Sequence, residues 1–109
     1  MEYVPPAIPH VQSVSAEQVI DHPFVQDYQM AQTDRVMVIA LQLRPVFSRK
    51  ERMDIMLEVA RSVAEACPVT VYVCADLDMW QAIKNNTMDV ETMVDILNNR
   101  EGNVCQHAK

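Results

Sequence analysis

The apolar residues change period three times along this chain, and each change marks an element. Arg35–Leu43 (RVMVIALQL) is apolar at both parities, with Val36, Val38 and Ala40 on one face and Met37, Ile39, Leu41 and Leu43 on the other. A strand covered on one side alternates with polar residues, so this one is expected to be central and covered on both. That cover comes from a long helix on one side and from other helices or a partner subunit on the other.

From Ser48 to Ala66 the spacing becomes three and four: Met53, Met56, Leu57, Ala60, Val63, Ala64 and Cys67 share a helical face. Ser48-Arg-Lys-Glu51 reads as a capping box, Pro45 keeps the approach extended, and Pro68 stops the helix. Val69–Ala75 is a second apolar strand. Asp76 then N-caps a helix through Lys84, with Leu77, Trp80 and Ile83 as its apolar side. Asn85-Asn86 ends it, and Thr87 caps a last helix striped by Val90, Met93, Val94 and Leu97.

Upstream, residues 1–14 hold three of the six prolines and no helical period, which reads as an extended arm. Ser15-Ala-Glu-Gln18 fits another capping box opening a short helix that Pro23 limits. Phe24–Gln32 fits strand and helix spacing equally well. The turn-prone Gln32-Thr33-Asp34 favours a strand that closes a hairpin onto Arg35–Leu43. Residues from Arg100 onward read as a frayed, flexible tail. The expected architecture is one α+β domain over 15–99: a small mixed sheet, hairpin plus parallel strand, packed by the long amphipathic helix, with short helices at both ends.

Composition removes several function classes. A length of 109 residues suits one core, and half the residues are hydrophobic. A net charge of −6 leaves no basic face for nucleic acid. The single glycine, Gly102, lies outside the strand–helix–strand unit, so no phosphate-cradling loop is expected. No apolar run is long enough to span a membrane, and MEYVPPAIPH lacks the features of a secretory leader. The cytoplasm is the expected location, with envelope association only if a targeting segment precedes this sequence.

Of three cysteines, Cys67 and Cys74 are separated along the strand by about 20 Å, beyond disulfide or shared-metal reach. They read as buried thiols, and Cys105 falls in the tail. His10, His22 and His107 lie in arm, turn and tail without ligand spacing, so no metal or cofactor is expected. Most of the eight methionines fall on core faces.

A strand–helix–strand connection normally joins parallel strands, which places the carboxyl ends of both strands on one sheet edge. Ligands of open α/β sheets bind there. That edge gathers the candidate residues Arg44, Ser48, Arg49, Lys50, Arg52, Asp76 and Asp78. Basic residues in a helix's first turn oppose the macrodipole, which marks the cluster for an anion or acidic partner. The bland reading is a solvated face with Lys50 paired to Asp54 and Arg61 to Glu58 or Glu65. Val71–Asp78 also resembles the strand–DxD opening of haloacid-dehalogenase-type phosphatases. The stretch after Asp78 is too short for the rest of that fold, and a helix cap explains Asp76 more simply.

The run from Asp34 to Lys84, an apolar strand, a basic loop, a helix of the form R-x-x-x-I-x-x-x-V, a V-x-V strand and an acidic turn, resembles the core of the YhcN/YlaJ sporulation lipoprotein family. The resemblance implies a small α+β module with an envelope-assembly role and no catalytic residues. The lipidated cysteine of that family has no counterpart here. The expected function is a non-catalytic assembly or protein-interaction module, sporulation- or envelope-associated, with a protein partner or self-association. The alternative is a regulatory domain binding a small anion or metabolite, or a minor enzyme, using the edge near Arg44, Arg49 and Asp76.

Overall fold

The computed structural model describes residues 22–107. The arm of residues 1–14 and the short helix at Ser15 lie outside the described residues. Seven elements follow: β1 (Val25–Gln32), β2 (Val36–Leu43), α1 (Arg49–Ala66), β3 (Thr70–Cys74), α2 (Leu77–Lys84), α3 (Val90–Asn98) and β4 (Asn103–Gln106). The strands form one mixed sheet in the order β1-β2-β3-β4. β1 and β2 form the expected antiparallel hairpin, β2 and β3 are parallel with Val38 opposite Tyr72, and β4 runs antiparallel to β3.

Helices cover both faces of the sheet, so two cores form. On one face Met37, Ile39 and Leu41 of β2 pack with Val71 and Val73 of β3 under Met56, Val59, Ala60 and Val63 of α1. On the other, Val38, Ala40, Tyr72 and Cys74 meet Met79 and Trp80 of α2 and Met93 and Leu97 of α3. The two parities of β2 thus divide as its sequence pattern requires. Each fully buried Val, Ile or Met side chain contributes roughly 1.5–3 kcal/mol relative to exposure. No partner subunit is needed to cover β2.

The hairpin turn follows from Thr33. Its hydroxyl accepts from the N–H of Val36 at 3.1 Å and of Arg35 at 3.3 Å, while its own N–H donates to Val36 O at 2.8 Å. This side-chain turn holds Asp34 and Arg35 at the tip. α1 starts as expected: Glu51 N–H donates to Ser48 Oγ at 3.2 Å and Ser48 N–H donates to Glu51 Oε1 at 2.8 Å.

Four local expectations need correction. The buried stripe of α1 is Ile55, Met56, Val59, Ala60 and Val63, with Leu57 half-buried. Both stripes satisfy a 3.6-residue period, and the choice falls to where the sheet and the Phe24–Phe47 pair lie. α2 buries Met79, Trp80 and Ala82, and Leu77 is 56% exposed rather than part of the apolar side. α3 is capped by Asp89, whose carboxylate accepts from Thr92 N–H at 2.9 Å, and not by Thr87. Thr87 closes α2 instead: its N–H reaches Ala82 O at 3.0 Å while Asn86 N–H reaches Ile83 O at 3.2 Å. Asn86 sits at φ 55, the left-handed position that ends such helices and that asparagine tolerates.

The fourth correction concerns the tail, which over Asn103–Gln106 is the edge strand β4. Gly102 turns into it at φ 87. The Asn103 amide donates to Leu97 O at 3.1 Å and Arg100 O at 3.3 Å, fixing where the strand begins. Cys105 therefore packs against the α2/α3 core opposite Tyr72.

Candidate functional site

The parallel β2–β3 pair sets the site's geometry, because it sends both carboxyl ends to one edge. From β2 the chain leaves through Arg44–Phe47 into Ser48 and the first turn of α1. From β3 it leaves through Ala75 into Asp76 and the first turn of α2. All seven candidate residues, Arg44, Ser48, Arg49, Lys50, Arg52, Asp76 and Asp78, stand on this edge. Because β1 and β4 run antiparallel to their neighbours, their starts lie here as well. They bring in Phe24, Arg100 and Glu101, which sequence spacing does not reveal. Five of the chain's nine Lys and Arg residues thereby collect at one end of the sheet.

Most of that charge is matched within the edge. Arg100 grips Asp76 with two nitrogens, at 3.2 Å and 3.4 Å. Arg49 faces Glu101 at 3.7 Å and Lys50 faces Asp54 at 3.6 Å, the latter as the solvated-face reading expects. Among the described residues Arg61 pairs with neither of its two expected partners, Glu65 or Glu58, and Glu58 is bonded to His22 instead. Exposed pairs of this kind contribute little to stability. Among the described residues Arg44, Arg52 and Asp78 form no ion pair.

Two candidate residues are caps. Ser48 opens α1, and its two hydrogen bonds hold the Glu51 carboxyl below the ordinary glutamate range. The Asp76 carboxylate accepts from Met79 N–H at 3.0 Å, opening α2. Their shape and charge are used by the fold.

Apolar surface remains. Val46 is 77% exposed, Leu77 56% and Phe24 45%, all at this edge. Phe24 stacks at a tilt on Phe47 with ring centroids 5.0 Å apart. At Leu77 the edge holds a shallow recess of about 210 Å³, lined by Leu41, Leu43, Ala75, Leu77, Gln26 and Gln42, with Arg52 the one charge among the described lining residues. Pro45-Val46-Phe47, two apolar residues in a loop, was the available sequence signal for this patch.

The thiols offer no nucleophile at this edge. Cys67 and Cys74 are buried thiols, and burial pushes Cys74 up to about 11. Burial also raises Cys105, against the hydrogen bond from Tyr72. Among the described residues no group of three or more His, Cys, Asp or Glu is placed to hold a metal ion, and no helix is long and apolar enough to cross a membrane. Comparison with protein-family models, curated proteins and solved structures finds no match.

Proposed function

We propose that this chain is a non-catalytic protein-interaction module that docks partners through the carboxyl edge of its sheet, with the cytoplasm as its location. The observation that carries this reading is the exposure of Val46 and Leu77 beside a cluster whose charges are largely paired with one another. Exposed apolar side chains grouped at one edge and ringed by polar residues are what a docking surface requires. A link to sporulation or the envelope rests on the resemblance over Asp34–Lys84. The alternative reading, a domain that binds a small anion or metabolite, is favoured by Arg52 in its recess with no carboxylate partner.

Site-specific photo-crosslinking tests the proposal in cells that produce the protein. A crosslinker at position 46 or 77 is expected to give discrete protein adducts, and one at Glu65, on the far end of α1, none. Loss of that contrast overturns the reading. So does a thermal-shift screen in which a phosphorylated or carboxylated metabolite stabilises the wild type and not Arg52→Ala. Ligand at 100-fold its dissociation constant adds about 2.7 kcal/mol, which such a screen detects.

A further inference from the structure

The opposite end of the sheet carries a second recess of opposite charge. A groove of about 610 Å³ runs between the end of β1 and the α2–α3 turn. Met30, Met88, Val90 and Ile83 supply apolar wall, and Asp89 and Glu91 are the only charged lining residues among those described. Asp89 is held ionised as the cap of α3: its hydrogen bonds from Thr92 keep its carboxyl below the ordinary aspartate range. Methionine walls adapt to whatever apolar side chain enters.

The two ends match. One projects Val46 and Leu77 beside Arg44, Arg52 and Asp78, which form no ion pair among the described residues and leave one net positive charge, and the other is a methionine groove whose described lining holds two carboxylates and no base. They lie at opposite ends of the β2–β3 pair: β2 runs from the hairpin tip beside the groove to Arg44. A chain with such ends cannot satisfy both on itself.

We infer that the carboxyl edge of one copy seats in the Met30–Met88–Glu91 groove of the next, joining copies head to tail. This deepens the interaction reading above and rests on it, taking a second copy of the chain as the partner. The contact is heterologous, so each copy offers one used and one open surface, and association continues beyond a dimer unless rotation closes it. Val46 and Leu77 supply the apolar contact, while Arg52 and Arg44 face Asp89 and Glu91.

The experiment uses light scattering on the full chain with two surface variants, Arg52→Glu, which spoils the projecting edge, and Glu91→Lys, which spoils the groove. Wild type is expected to grow in mass with concentration up to about 1 mM and to shrink in high salt. Each variant alone weakens association by about ten-fold or more. Mixed one to one, the variants associate again, because the intact groove of Arg52→Glu accepts the intact edge of Glu91→Lys and the two reversed charges at positions 52 and 91 face each other at the alternate contact. Circular dichroism melts show both variants folded. A wild type that stays monomeric across this range overturns the inference, as does association that either variant leaves unchanged, or a mixture that does not associate again. Position-46 adducts to a different protein alongside a monomeric wild type would sink the self-assembly and leave the interaction reading standing.

Discussion

Asp76 is where a structural role and a binding role can be separated by measurement. Its carboxylate caps α2 through Met79 N–H and holds Arg100 through two contacts, with its side chain 26% exposed. Replacing an N-cap aspartate by alanine costs about 1 kcal/mol. Loss of a half-exposed bidentate pair adds roughly 0.5 kcal/mol. Asp76→Ala should therefore cost about 1.5 kcal/mol. Asp76→Asn keeps a capping oxygen and removes the charge, so only the pair is lost, about 0.5 kcal/mol. Arg100→Ala should cost a similar amount, and the Asp76→Asn/Arg100→Ala double variant no more than either single one, because both remove the same contact. Urea unfolding followed by Trp80 fluorescence measures these differences. With a slope of about 1–1.5 kcal/mol per molar, Asp76→Ala lowers the midpoint by roughly 1–1.5 M. Equal losses for Asp76→Ala and Asp76→Asn would refute the capping argument. An Asp76→Ala protein as stable as wild type would return the residue to a binding role.

The corrected face of α1 predicts that Met56→Ala, at a position 2% exposed, costs about 2–4 kcal/mol, while Leu57→Ala next to it costs less than about 1 kcal/mol. Denaturant midpoints of the two variants check this, and equal costs would place the helix in another rotation. Acid should destabilise the protein in a defined window. The Glu51 and Asp89 carboxyls lie below their free values of 4.5 and 3.8 in the folded state, so their contribution is present above those values and fades as pH falls through the lower folded ones. Thermal melts from neutral to acid pH should decline chiefly below about pH 4.5, and Glu51→Gln with Asp89→Asn should flatten that decline. At the alkaline end the buried Cys74 thiol, raised from 9.0 to about 11, stabilises the fold below its unfolded value. That contribution drains away between those two values as the unfolded chain ionises first. Cys74→Ala should flatten this alkaline limb in the same melts.

The central elements were legible along the chain, because their signals are local. The double parity of β2 allows only a strand covered on both faces, and Ser48-x-x-Glu51 closes its own cap with atoms three residues apart. Asp76 opens α2 on the same local terms, and the parallel β2–β3 pair then places both carboxyl ends together. The tertiary structure alone decided which of two equally periodic stripes α1 buries, since a 3.6-residue repeat does not say where a sheet lies. It also made a strand of Asn103–Gln106: four half-buried residues carry no readable period, and their pairing depends on β3 and on the Asn103 amide reaching back to α3. The composition of the candidate edge shifted for the same reason. Arg100 comes 24 residues after Asp76, and their charges meet only because β4 folds back beside β3. Charge pairing and exposure belong to distances in space, which spacing along the chain does not encode.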